Sequence, residues 1–300
     1  MKNKHKIIVV LIISIFFLNP ISLKYIFNSV NNIIYSDSYF FFLKEKRNEK
    51  VEKTLEFNAE YYPYYGFLNN DEKKLYEQIF INANNLVETF EPNVDVNVQQ
   101  LKKVFEAMYN DHPELFWIDT NYTYKYTATN MCVQITLSYN DTIDNIEYNK
   151  KIFNDEVDKI VSAANKLDSD YEKEKYVHDT ILNNVKYDKS SDMNQSAYSA
   201  LINKKSICAG LSRAFQLIMI RLNIPTYYCV GISSVNHAWN IVKLDDGYYN
   251  VDLTWNNSDI TEYKYFNKTD DEFSITHTRT GLSLNLPKCE STKYSVSNIK

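Results

Sequence analysis

Glycine and proline are scarce, with 5 and 6 in 300 residues. That excludes a collagen-like repeat and a Pro-rich filament. Basic charge is not in excess: 33 Lys and Arg stand against 38 Asp and Glu, a formal charge of −5. With no basic stripe either, no nucleic-acid partner is expected. The four cysteines, Cys132, Cys208, Cys229 and Cys289, are widely and irregularly spaced and form no C-x-x-C pair, which argues against a structural zinc. A core of this size does not depend on disulfide staples. No paired His/Asp/Glu spacing and no acidic loop of calcium type occurs, so no metal and no cofactor is expected. There is no internal repeat.

What is present describes a packed globular body. Hydrophobic residues make up 44% and charged residues 24%, which disfavours wholesale disorder and a polytopic membrane protein. The 25 tyrosines fit a sugar-binding surface, but bias toward A/T-rich codons gives the same excess of Tyr, Asn, Lys and Ile. The first residues look like an address. Lys2, Lys4 and Lys6 precede an apolar run from Ile7 to Leu18, and the next charge is Lys24. A cationic start and an apolar stretch of this length fit an export signal. Residues 7–23 also approach the roughly 17–25 needed to cross a bilayer. Without a small-x-small cleavage site after them, a retained membrane anchor is favoured over a removed peptide. Beyond residue 35, 29 basic side chains face 38 acidic ones, so the exported body is mildly acidic, extracellular or on the cell surface.

The pattern divides the chain into a signal or anchor (1–35), a charged aromatic linker (36–66), an N-terminal α/β extension (67–165) and a C-terminal domain (166–300). Asn69 with Glu72 and Ser169 with Glu172 are capping-box signatures, opening helices to about Phe90 and Val185. Further helices are expected over Val98–Tyr109 and Ile146–Leu167. Phe116–Ile118, Tyr122–Tyr126 and Met131–Tyr139 alternate as strands do. A helix is expected from Cys208 to Leu222, ended by Asn223-Ile224-Pro225. Strands follow over Thr226–Val230, His237–Leu244 and Tyr248–Leu253, with Asp245-Asp246-Gly247 as a turn.

Candidate chemistry lies where that helix meets that hairpin. The thiolate is the reactive form of cysteine, and a helix N-terminus favours an anion. Cys208 begins the helix. His237 can hold its sulfur as thiolate–imidazolium and later protonate a leaving amine. Asp252, fifteen residues on, can accept from the other ring nitrogen and fix the tautomer. In a regular ladder His237 and Asp252 share a face only if the hairpin loop holds an even number of residues, such as Asp246-Gly247. Taken singly, each of the three has a packing or capping explanation. His112, His178 and His277 are read as structural, His277 least firmly. Trp239 and Trp255 are expected to wall the cleft or the core beneath it.

Cys208-Ala-Gly-Leu-Ser-Arg-Ala-Phe-Gln-Leu-Ile, His237-Ala-Trp-Asn-Ile-Val and Tyr249-Asn-Val-Asp252-Leu-Thr-Trp255 together resemble the three catalytic blocks of the transglutaminase-like superfamily. Asp111-His-Pro-Glu-Leu-Phe-Trp117, the helix ending in Tyr187-Asp188, and Tyr265-Phe266 with His277 resemble segments of its exported Gram-positive members. The resemblance implies an α+β, papain-like core with Cys208 as nucleophile, His237 as general base and acid, and Asp252 as orienter. It implies cysteine-dependent acyl transfer on a protein, peptide or cell-wall amide, as protease, amidase or transglutaminase. Related sequences place Gly two residues before the cysteine, where this chain has Ser206; a positive φ there costs a non-Gly residue about 1 kcal/mol. The Cys208 backbone N–H is an expected oxyanion donor, with Tyr198 as the candidate side-chain partner. With Cys208 kept as a thiol, the other cysteines allow at most one disulfide. The competing expectation is a non-catalytic binding or scaffold module on the same fold.

Overall fold

The structure, a computed structural model, describes residues 11–14, 55, 57–256 and 263–295. Of the expected anchor over 7–23, only Leu11–Ser14 falls within them, as strand β1. The rest lies outside the described residues, as does most of the linker. Among the described residues no helix is long and apolar enough to cross a membrane. The chain forms two units, one containing Tyr64–Tyr109 and Trp117–Ile143, the other Asn58–Pro63, Asn110–Phe116 and everything from Asp144 on.

In the first unit, Asn69 and Glu72 cap each other's backbone at 2.9 Å and open α1, Asn70–Asn84. Leu75, Ile79 and Ala83 lie one turn apart and are fully buried, the stripe expected of a helix with one inner face. After the short strand β2, Thr89–Phe90, comes α2, Val98–Asp111, which buries Leu101, Val104, Phe105 and Met108. Strands β3, Ile118–Tyr126, and β4, Cys132–Tyr139, complete an antiparallel sheet of order β1-β3-β4-β2. The two strands expected at 116–126 are thus one, with a register irregularity between Ile118 and Tyr122. Phe105 stacks on Tyr122 at 3.8 Å, joining α2 to the sheet.

In the second unit, α3, Ile146–Ala164, turns Phe153, Val157, Ile160 and Ala164 inward. This helix was expected in the N-terminal extension; it groups with the second unit because it packs on the helices that follow. Ser169 and Glu172 form the second capping box and open α4, Asp170–Asn184. A two-residue parallel bridge pairs β5, Lys186–Tyr187, with β6, Lys205–Ser206. Next comes α5, Cys208–Arg221, buried from Cys208 through Met219. A helix buried on all sides must be enclosed by its neighbours. Here α3 and α4 cover it on one side and an antiparallel sheet on the other.

That sheet has the order β10-β7-β8-β9, with β7 Thr226–Ser233, β8 Val235–Leu244, β9 Gly247–Val251 and β10 Thr278–Arg279. Between β9 and β10 lie two single-turn helices, α6 Leu253–Asn256 and α7 Asp270–Phe273. Leu253, expected to end a strand, instead starts α6. Two hydrogen bonds stitch α5 to β8: Ser212 Oγ donates to Ala238 O at 3.2 Å, and Asn240 Nδ2 donates to Ser212 O at 3.0 Å. Buried bonds of this kind contribute about 0.5–1.5 kcal/mol each, less than the burial of Phe215 or Ile218, at about 1.5–3 kcal/mol per side chain. Their effect is positional, because they fix the helix one turn past Cys208 against the strand one residue past His237.

Candidate active site

The chain reaches Cys208 through a sharp change of direction. A π-helical turn, Ser199–Asn203, ends at Lys204, whose φ of 56° is left-handed. Ser206 lies in β6 and is not among the positive-φ residues. The strain expected at Ser206 is therefore absent, because the turn that needs it falls two residues earlier. The Ser206 hydroxyl donates to Asn194 O at 2.7 Å. A Cβ at Gly210 would lie 2.0 Å from Ser206 Oγ and 2.6 Å from Ser196 O, so glycine is what lets the first turn of α5 press against the incoming chain. Ile207 contributes no side-chain cap, and Cys208 begins the helix at its positive end.

His237 stands on β8 opposite Gly231 of β7. A Cβ on Gly231 would lie 2.2 Å from Thr278 O and 2.5 Å from the Trp239 ring. The ladder between β8 and β9 runs from Leu244↔Gly247 to Asn240↔Val251. The loop is therefore Asp245-Asp246, even in number as the shared face requires but one residue earlier than the example given. Extended by one step, that register sets Asp252 opposite Trp239, two residues from His237 and on its face. His237 Nε2 lies 2.7 Å from Asp252 Oδ2. Cys208 lies near enough for its charge to act on the same imidazole. Imidazole and carboxylate are thus in direct contact with Cys208 nearby, all within the second unit.

Asp252 does more than meet His237. Its Oδ1 accepts from the backbone N–H of Thr254 at 2.8 Å and Trp255 at 3.2 Å, an N-cap for α6. Its Oδ2 also meets His277 Nε2 at 3.0 Å. Burial works against the charge of this carboxylate, but His237 and His277 hold it below the usual aspartate range. Burial likewise works against a charged His237, yet the Asp252 carboxylate, followed by Cys208, pushes it up to about 10. A charged His237 imidazolium is the state this electrostatic setting favours.

The remaining sequence candidates fall in different places. Trp239 is 1% exposed, and its indole N–H donates to Asn250 Oδ1 at 3.0 Å. It is core beneath His237, not a cleft wall, because its strand faces the α7 region; its ring lies 6.1 Å from Phe273. Trp255 is partly exposed, with its ring 5.0 Å from that of His277. Tyr198 donates its hydroxyl to Asn149 Oδ1 at 2.8 Å and packs on Phe116 at 4.7 Å, an arrangement that gives it a packing role beside α3. The tyrosine under the influence of Cys208 is Tyr187: burial, then the charges of Cys208 and Asp252, push its phenol up. Tyr187 reaches this position through its pairing with Ser206. Only its place in the helix-ending Tyr-Asp pair marked it in the sequence.

His178 meets Asn256 Nδ2 at 3.0 Å and Asp179 Oδ1 at 2.9 Å, which anchors α6 from behind. His112 pairs with Glu114 at 2.7 Å. Beside them, Asn110 O accepts from Gln216 Nε2 at 3.0 Å. Asn110, just before the Asp-His-Pro-Glu segment, thus ties that stretch of chain to α5. All four cysteines are free thiols in the structure.

Among the described residues, His237, Asp252 and His277 are the one group of three side chains whose metal-binding atoms lie within 4.8 Å of one another. A zinc would need its ligands about 2.0–2.2 Å from a common centre. Here both imidazoles instead aim at a single oxygen, Asp252 Oδ2, at hydrogen-bond length. The oxygen itself occupies the point of convergence, so the group is built as two donors on one acceptor.

Residues 158–253 match the family model described as the Transglutaminase-like superfamily. No curated protein matches the chain. Among solved structures, a crystal structure of a TGase is similar at 20% identity and a TM-score of 0.32, over 41% of each chain. A protein from Cytophaga hutchinsonii, described as a candidate cysteine protease, is similar at 18% identity and a TM-score of 0.30, over 44% of this chain and 56% of that one. The chain thus spans about half the length of these two structures or less. Cys208, His237 and Asp252 lie within the matched stretch, and residues 158–253 form a transglutaminase-like core in a mixed fold of helices and sheet.

Proposed function

We propose that the protein is a cysteine-dependent acyl-transfer enzyme that cleaves peptide or carboxamide bonds, with Cys208 as nucleophile, His237 as general acid and base, and Asp252 as orienter. The observation that carries this reading is the 2.7 Å contact between His237 Nε2 and Asp252 Oδ2, with Cys208 near enough for its charge to act on the same imidazole.

The Cys208 thiolate attacks the carbonyl carbon, forming a C–S bond and moving the carbonyl π pair onto oxygen. Backbone N–H groups at the start of α5 stabilise that oxyanion. His237 gives its proton to the amide nitrogen, the C–N bond breaks, and an amine or ammonia leaves a thioester. Water then attacks the thioester as His237 takes its proton. The C–S bond breaks, the carboxylic acid departs, and the thiolate–imidazolium pair is restored. An entering lysine amine in place of water gives crosslinking instead. Hydrolysis of a peptide or cell-wall amide is the preferred outcome for a protein whose Lys2–Leu18 leader we propose directs it out of the cell, anchored or released.

The alternative of a non-catalytic module would be the better reading with Cys208 tied in a disulfide or the hairpin register odd. Cys208 is a free thiol and the loop has two residues, which supports the enzyme. Iodoacetamide alkylation of Cys208 followed across pH tests the choice. The enzyme reading expects rapid reaction near pH 6, lost in His237→Ala. A rate that tracks an ordinary thiol would leave the module. Incubation with a glutamine peptide and an amine donor then separates acid release from crosslinking.

A further inference from the structure

Asp252 Oδ2 serves two imidazoles. His237 Nε2 lies 2.7 Å from it and His277 Nε2 3.0 Å. The side chains of Asp252 and His277 are 0% and 1% exposed, so water does not stand in for either contact. His277 is held to this task. Its Nδ1 is 2.7 Å from Thr276 Oγ1. Its ring stacks on Phe273 at 4.3 Å and lies 5.1 Å from Trp239 and 5.0 Å from Trp255. Because an ionised carboxylate only accepts, the contact with Asp252 Oδ2 requires a proton on His277 Nε2.

We propose that His277 is a positioning residue for the reaction, a second donor that fixes the Asp252 carboxylate and limits how strongly it holds the His237 proton. This rests on the reading of Cys208 and His237 given above. Two backbone N–H groups already hold Oδ1, but Oδ2 would otherwise be positioned by His237 alone. His237 must give up and regain its proton in every turnover. With His277 present, the carboxylate keeps three donors while His237 changes charge. A carboxylate that accepts an additional hydrogen bond is also a weaker base toward His237. His277 therefore prevents the imidazolium from becoming too stable to protonate the leaving amine.

The groups that face this system are few. From α5 comes Cys208, from β5 Tyr187, from α4 His178, and from the segment after α6 the Tyr265 ring, 5.9 Å from that of His277. None of them donates to Oδ2 in the structure.

The test is the pH profile of Cys208 alkylation by iodoacetamide in the full chain, alongside turnover of a peptide amide. His277→Phe keeps an aromatic ring but removes the donor. Its alkaline limb, where His237 loses its proton, is expected to move up by about 0.5–1 pH unit, with kcat lowered and KM little changed. His277→Asn, which can present an N–H toward Oδ2, is expected to bring the limb back toward wild type. Thr276→Val, which removes the hydroxyl that positions the His277 ring at Nδ1, is expected to shift it in the same direction as His277→Phe, but less. Should His277→Phe fail to fold, the Asn and Val variants still decide the matter by their order. A limb unmoved in a folded His277→Phe, or in Thr276→Val, would overturn the proposal while leaving the nucleophile intact. Wild-type alkylation at the rate of an ordinary thiol would overturn the proposed function, and this inference with it.

Discussion

Two carboxyl groups in the second unit are buried to the same degree and behave in opposite ways. Asp252, at the junction of β9 and α6, and Glu174, on α4, are both 0% exposed. Asp252 receives two backbone N–H groups and two imidazoles, and is held below the usual range for its type. Glu174 receives one carboxamide, Asn267 Nδ2 at 3.0 Å, and its Oε1 has no partner among the described residues. Burial pushes it up to about 8, only weakly countered by Asn267. The comparison shows that depth alone does not decide charge. The number and sign of the donors do, and the donors gather where an anion is needed for chemistry.

The largest break in that comparison is Asp252→Asn. An amide cannot accept from both imidazoles at one end and from two backbone N–H groups at the other, so the orientation of His237 is no longer set. We expect kcat to fall about 10³–10⁴-fold, measured against a peptide amide. The pH dependence of the wild type sharpens the same point. His237 is raised above its ordinary value, so its charged state and the stability it brings are complete below pH about 6.5. Both are lost as pH climbs through about 10. Alkylation should keep its enhancement through neutrality and lose it at that alkaline limb.

Glu174→Gln removes the opposite case. A carboxyl raised from 4.5 to about 8 binds its proton more tightly folded than unfolded. Stability is therefore greatest below pH 4.5 and falls as pH rises toward 8. The Gln variant escapes that loss. It should be more stable than wild type at pH 9 by on the order of 4 kcal/mol, and nearly equal at pH 4, by urea unfolding. Gly231→Ala tests the backbone contact that positions His237. Its methyl has no room beside Thr278 O and Trp239, and we expect a loss of about 1–3 kcal/mol in thermal unfolding. The smallest change is Asn267→Gly. Asn267 has a φ of 53° that glycine adopts without strain, so the variant removes the donor to Glu174 and little else. It should cost about 1 kcal/mol at neutral pH, detected as a lowered urea midpoint.

Much of the fold could be read directly from the chain. Asn69 with Glu72 and Ser169 with Glu172 mark helix starts because a capping box satisfies local donors, and both form as expected. Thr269 with Glu272 carries the same signature and caps α7, but that helix is a single turn with no apolar period to draw attention to it. The pairing of His237 with Asp252 was legible because hairpin parity is a local rule, as the start of α5 at Cys208 was from helix patterning. His277 was not, since its bond to Asp252 closes a loop of 25 residues that no periodicity describes. Tyr187 was overlooked for a similar reason: a two-residue parallel bridge, not a strand pattern, sets it beside Cys208. Leu253 was taken for strand because its alternation continues that of β9. The Asp252 side chain ends the strand by capping the next helix, and capping competes with alternation at that point.

The double duty of Asp252 bears on how such a protein could lose its reaction. Replacing the sulfur of Cys208 leaves the helix behind it enclosed as before. Replacing the carboxylate uncaps α6 and abandons two buried imidazoles at once. If the proposed reaction holds, a descendant without it would be free to discard the proposed nucleophile first and would retain its aspartate longest, as a structural fossil of that chemistry.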